Sequence, residues 1–231
     1  MRLLSFVCVI LAGIGMLSLT GCGGDSSSTT QKRVAFIYNV DTTTAAQFAT
    51  FFKNNNLHMD AIQMEKITET DFTPYSLLIT ANDTGLSWTA TEAQGLKDSG
   101  LPIIAMPFSV DLYDDPAFDV KFGQNKCVDL NGTAIVVDNN AESLNFFEGI
   151  SGVVAGSTVQ ITNTNLGGKG VAIATVANGV MLVGYVSGDP SYSPLAIKDR
   201  YGLWGFVPTP DKLTADGRTV LMNFVNYQLA Y

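Results

Sequence analysis

Histidine is all but missing from this sequence, with His58 the only one among 231 residues. A catalytic base must sit within hydrogen-bond reach of the proton it takes. His58 falls at the head of an expected strand, beside a helix end and with no evident partner, so a structural or solvent-facing role suits it better. Cysteine is scarce as well: Cys8, Cys22 and Cys127 are the full set. Positive charge is in short supply, with 13 Lys and Arg against 21 Asp and Glu. That balance argues against nucleic-acid binding, whose affinity comes largely from cations set on phosphates. It also argues against docking on anionic lipid by charge, and simple solubility explains it. The N-terminal apolar run, Leu3 to Leu17, is shorter than the roughly 20 residues needed to span a bilayer. No repeat of fixed period is visible.

What is present at the N-terminus reads as an address. Arg2 is the only charge before the apolar run, and Leu19-Thr20-Gly21-Cys22 follows it. A positive start, an apolar stretch and small residues before a cut site make a secretory signal over residues 1–21. Leu19-Thr20-Gly21-Cys22 resembles the bacterial lipobox, whose cysteine is acylated before the leader is removed, so Cys22 is the expected lipidation site. Residues 22–32 then form a lipid-anchored tether, small and polar enough to be flexible. Gly23 stands where an Asp would favour inner-membrane retention. In a Gram-negative cell that points to the outer membrane, facing the periplasm or the cell surface. Losing residues 1–21 removes Arg2 and no acid, so the charge moves from −8 to about −9. Cys8 leaves with the leader and Cys22 carries lipid, which leaves Cys127 without a disulfide partner. The remaining 33–231 are therefore expected to fold as one domain on their apolar core, and 46% hydrophobic residues supply one.

The first half of that domain alternates strand and helix. Arg33 to Tyr38, His58 to Met64, Tyr75 to Thr80 and Leu101 to Met106 are short apolar runs of the buried-strand kind. Asp41 or a following Thr caps a helix with Ala45, Phe48, Ala49 and Phe52 on one face. Asn54-Asn55-Asn56 ends it. Thr89 and Glu92 fit a capping box before a second helix, and Gly100 fits its left-handed stop. Such alternation with continuous apolar strands implies an α/β fold with a mostly parallel sheet covered on both faces. The second half is β-rich: Thr133 to Val137, Thr158 to Thr162, Gly170 to Ala177, Val180 to Val186 and Tyr201 to Val207. Asn178-Gly179 is a hairpin signal. Thr214 caps a closing helix with Val220, Leu221, Phe224, Val225 and Leu229 as its apolar stripe. This half is expected to continue the sheet and add a β-rich extension.

That order of segments resembles the class I glutamine amidotransferase-like fold, a flavodoxin-like three-layer sandwich. Its most specific pieces are Leu78-Ile79-Thr80-Ala81-Asn82-Asp83-Thr84-Gly85 and Leu101-Pro102-Ile103-Ile104-Ala105-Met106-Pro107-Phe108-Ser109. Tyr201-Gly202-Leu203-Trp204-Gly205-Phe206 with Leu213-Thr214-Ala215-Asp216-Gly217 is similar to the end of exported members. The resemblance implies a Cys nucleophile in a Gly-x-Cys-x-Gly turn and a His well downstream of it. Here the Cys position falls on Pro107 and the second Gly on Ser109, and the sole His lies upstream. The resemblance therefore carries a fold and not a catalytic pair.

Other chemistry-bearing residues have plainer roles. Lys126 beside Cys127 would lower its pKa slightly, yet a lone Cys is commonly a small buried apolar group. Ser109 has no His for a Ser-His-Asp arrangement, no spacing supports a Ser–Lys pair, and loop hydrogen bonding suits it. Asp111, Asp114, Asp115 and Asp119 are dense enough for a hard cation, but the spacing is not that of an EF-hand loop. Gly167-Gly168-Lys169-Gly170 leads into a strand, whereas phosphate loops open a helix, so it reads as a turn. Ligands of open parallel sheets sit outside the strands' carboxyl ends, where strand order reverses. The loops there carry Asn39, Asp41, Thr42, Asn82, Asp83, Thr84, Ser109 and Asp111, suited to a neutral or hydroxylated ligand. The expected function is a lipid-anchored, non-catalytic binding or scaffolding module at the bacterial cell envelope. Two alternatives stay open: an envelope hydrolase, with or without a metal, using those loops and the acidic stretch, and a structural interaction protein packing through its β-rich half. The expected partners are the membrane, through lipid on Cys22, and an envelope protein or small polar ligand. No cofactor, metal site or nucleic acid is expected.

Overall fold

Val34, Ala35, Phe36 and Ile37 have no solvent exposure, the mark of a strand covered on both faces. They form the middle of β1 (Arg33–Tyr38). The structure, a computed structural model, describes residues 32–231 except 86, 125 and 126. The leader, Cys22, the tether up to residue 31 and Lys126 lie outside the described residues.

Local signals set the next elements. The Asp41 carboxylate accepts from the Thr44 N–H and starts α1 (Thr42–Asn54), which buries Ala45, Phe48, Phe51 and Phe52. Ala49 is only half-buried. Asn56, at φ 58°, takes the chain out of the helix. β2 (His58–Gln63) and β3 (Leu77–Thr80) follow. Thr89 and Glu92 form the capping box of α2 (Ala90–Asp98). Gly100, at φ 69°, turns the chain toward β4 (Ile103–Ala105).

The second half contributes β5 (Val128–Leu130), β6 (Ala134–Val137), the short α3 (Ala141–Leu144) and β7 (Thr158–Gln160). It continues with β8 (Gly168–Ala172), β9 (Val180–Leu182), β10 (Gly184–Val186) and β11 (Tyr192–Ser193). β12 (Leu195–Lys198), β13 (Tyr201–Trp204) and α4 (Ala215–Leu229) complete the chain. The central sheet has the order β2-β1-β3-β4-β13-β12-β9. Its first five strands are parallel, and β12 and β9 join antiparallel. Two small antiparallel sheets, β10-β6-β7 and β11-β8-β5, make the extension.

Expectations for the second half fail in part. Gly168, Lys169 and Gly170, expected as a turn, open the strand β8, paired with β5. Asn178-Gly179 does form a turn, with Gly179 at φ 76°, but its flanks do not pair with each other. β8 pairs with β5 and β11, while β9 pairs with β12. The expected strand over Val180 to Val186 is also divided at Val183, β9 serving the central sheet and β10 an outer one. Longer-range pairing outweighs the local hairpin preference.

Side chains alternate between two layers, as the period of a strand requires. Val34 and Phe36 face α1 and α4, in a cluster with Phe48, Phe52, Trp204 and Phe224. Ala35 and Ile37 face α2 and its neighbours, with Ile67, Ala93, Leu96 and Tyr113. Each fully buried large side chain contributes about 2 kcal/mol. Tyr113 is buried in the second layer with its hydroxyl 2.8 Å from the Ile103 carbonyl and 3.0 Å from that of Gly202. It ties β4 to β13.

Two features of this layout position a site. The chain leaves β1 for β2 on one side and returns to β3 on the other, so strand order reverses between β1 and β3. The amino edge, in contrast, holds the start of β1 and the end of α4, where Lys32 Nζ donates to the Leu229 carbonyl at 2.5 Å.

Candidate functional site

At the carboxyl edge, the turn after β1, the end of β3 and the segment after β13 surround a groove of about 480 Å³. Asp41, Asn82, Asp83, Phe108, Leu166, Val207, Pro208 and Lys212 are among its lining residues. Phe108 and Leu166 are 43% and 52% exposed, high values for large apolar side chains beside a crevice. Lys212 has Asp211 next to it at 3.5 Å.

The polar side chains around this edge are largely engaged by the protein itself. Asp83 Oδ2 accepts from the backbone N–H groups of Asn39, Val40 and Asp41 at 3.1, 2.7 and 2.7 Å. Asp41 accepts from both the N–H and the hydroxyl of Thr44, at 3.0 and 2.6 Å. Those bonds, the hydroxyl's first, hold the Asp41 carboxyl below the usual range. Asn82 donates to the Val207 carbonyl at 3.3 Å and accepts from the Phe108 N–H at 3.4 Å. It thus straps β3 to the segments after β4 and β13.

Of the other residues read from the sequence, Thr84 and Ser109 are wholly buried. The Thr84 hydroxyl donates to the Ala81 carbonyl at 2.8 Å. Ser109 Oγ lies 2.7 Å from Thr80 Oγ1 and 2.9 Å from the carbonyls of Thr80 and Met106. Thr42, Asp111 and Asn39 do not line the groove. The sequence reading missed Phe108, Leu166, Val207, Pro208 and Lys212 as site residues; they come together from the segments after β4, before β8 and after β13. No local pattern marks them.

The remaining candidates lie apart. β4 ends at Ala105, Met106 is ordinary extended backbone (φ −72°, ψ 163°), and Pro107 opens a 3-10 segment running to Asp114. That turn carries no strained residue of the kind that presents a nucleophile at an elbow. His58 sits at the amino end of β2, on the opposite edge of the sheet, half-exposed and 3.1 Å from Asp60. Burial, then the nearby Asp114, pushes the Cys127 thiol up to about 12, far from the range of a reactive thiolate. In the acidic stretch Asp115 caps the Ala117 N–H at 2.8 Å and Asp119 pairs with Lys121 at 3.7 Å. Among the described residues, no three His, Cys, Asp or Glu side chains converge as a metal site would require. Lys169 lies in β8 and not in a turn; it pairs with Asp129 at 2.9 Å and lies 6.0 Å from the centre of the Phe108 ring.

The folded part is similar in fold to several solved structures. A protein described as a GMP synthase subunit, from Thermoplasma acidophilum, superposes with a TM-score of 0.56 at 12% identity, over 87% of this chain and 96% of that one. A chain of PurLQS from Thermotoga maritima gives 0.54 at 13% identity, over 85% and 99%. A ThuA-like protein from Bacteroides uniformis ATCC 8492 gives 0.59 at 10% identity, over 90% and 95%. No protein-family profile and no curated protein matches the sequence. At such identities the likeness is one of fold. The architecture is glutamine amidotransferase-like, with a largely parallel central sheet and extra antiparallel strands. Among the described residues, no helix is long and apolar enough to cross a membrane.

Proposed function

We propose that this chain is a lipid-anchored, non-catalytic binding or scaffolding module of the bacterial cell envelope, with the groove at the carboxyl edge as its ligand site. The observation that carries the reading is where the potential reacting groups lie. Ser109 is wholly buried within hydrogen-bond reach of three oxygen acceptors, the Cys127 thiol is pushed up to about 12, and His58 is on the opposite edge. Nucleophilic catalysis needs an attacker and a base within about 3 Å of each other, and these three are not so arranged. Pro107, at the position that the amidotransferase resemblance gives to the nucleophile, adds support.

The anchor is read from Leu19-Thr20-Gly21-Cys22; in a Gram-negative cell the address would be the outer membrane. Two experiments test the proposal. Cells fed an alkyne-tagged fatty acid should label the protein, and Cys22→Ala should lose both the label and the membrane fraction. The purified full chain should not hydrolyse glutamine above background. Glutamine hydrolysis that disappears on changing Asn82 or Lys212 would overturn the non-catalytic reading.

A further inference from the structure

Backbone N–H groups that converge on one point make a small positive cradle, and a helix N-terminus adds the end of its dipole. Such a cradle lies at the switch point here. The N–H groups of Asn39, Val40 and Asp41, in the turn that opens α1, all aim at one atom, Oδ2 of Asp83. That carboxylate is brought from 42 to 44 residues along the chain by β3. It is not needed as the cap of α1, because Asp41 already takes that role with Thr44. Its second oxygen, Oδ1, is buried with no protein partner, an arrangement that costs free energy unless the first oxygen's contacts outweigh it.

We infer that Asp83 is an internal anion that closes the switch-point cradle to phosphates and carboxylates from outside, and so sets the charge of what the groove accepts. Parallel sheets that bind phosphate leave such N–H groups free for the ligand. Here an incoming anion meets a carboxylate in their place, and Asp41 puts a second one on the same wall. The cation on the lining, Lys212, has Asp211 at 3.5 Å. The ligand class that remains is neutral or cationic, with an apolar body to cover Phe108, Leu166, Val207 and Pro208. The ligand class rests on the groove being the binding site; the closing of the cradle does not.

The test uses the full chain and formate as a stand-in for the lost carboxylate. Asp83→Ala opens the cradle, and Asp83→Asn keeps it filled with a neutral amide. Thermal unfolding is measured in rising formate against chloride of equal ionic strength. The Asp83→Ala midpoint should start below wild type and climb with formate, as for any ligand that binds only the folded state. Wild type and Asp83→Asn should show no difference between the two salts. Equal response of all three proteins, or no response of Asp83→Ala, overturns the inference. Should Asp83→Ala be unfolded in chloride, return of its helical circular dichroism on adding formate supports the inference, and no return overturns it. A rescued Asp83→Ala protein whose groove binds no neutral or cationic probe would count against the groove and leave the cradle intact.

Discussion

Gln228 offers the sharpest test of the packing described above, because its environment contradicts its chemistry. It lies on α4 with no solvent exposure, against Gly202 of β13, and neither its amide nitrogen nor its amide oxygen has a protein hydrogen-bond partner. Burying an amide without partners costs about 1–3 kcal/mol. Methionine has nearly the same length and shape, no polar group to desolvate, and enough freedom to fill an irregular space. Gln228→Met should therefore stabilise the fold by about 2 kcal/mol. For a domain of this size each kcal/mol moves the unfolding midpoint by about 2–4 °C, so the expected rise is about 4–8 °C. Thermal unfolding followed by circular dichroism, with Gln228→Glu as the opposite control, reads it directly. The Glu variant should fall, since an unpaired buried carboxylate costs more than an amide. A Met midpoint equal to or below wild type would mean that the amide is satisfied after all, and the burial argument would be wrong.

Further expectations concern particular residues. Gly217→Ala should destabilise α4 by about 2 kcal/mol, against the usual helix preference for Ala, because its Cβ would stand 2.1 Å from the Ile161 carbonyl; a chemical denaturation curve decides the sign. Cys127 should alkylate about a thousandfold more slowly at pH 8 in the folded protein than after unfolding, as its pKa rises from 9.0 to about 12; peptide mass spectrometry over time measures it. Asp41→Ala should cost about 1 kcal/mol near neutral pH through loss of the α1 cap. The Asp41 carboxyl is depressed in the folded state, chiefly by the Thr44 hydroxyl. Its contribution is thus full above the unfolded carboxylate range and lost as pH falls through the folded value. Wild type and variant should therefore converge in acid, which unfolding midpoints from pH 7 down to pH 3 would show.

Much of the architecture could be read from short stretches. Asp41 with Thr44, Thr89 with Glu92, and Thr214 with the Gly217 N–H are caps whose two partners lie three residues apart, so the pattern contains the whole interaction. The apolar runs of β1, β3 and β4 announce buried parallel strands for a similar reason. Strand pairing is a different matter. Asn178-Gly179 specifies a turn, but what its flanks pair with depends on β5, β11 and β12, none of them adjacent to the turn in sequence. β12, with only four residues, carries too little pattern to be seen alone. The site was legible only in outline. Its edge and its residues Asp41, Asn82 and Asp83 follow from topology, whereas nothing in the sequence marks Phe108, Leu166 and Val207 as sharing one apolar wall. Asp83 shows the limit most clearly: its three donors are invisible until β1 and β3 lie side by side.

The position of Lys32 has a mechanical meaning. Force applied at the first residue of β1 along the strand axis would load both of its flanks at once. β1 is held on one flank by six registered residues of β2 and on the other by four of β3. Load applied that way is shared by both ladders in shear and does not peel them open one bond at a time.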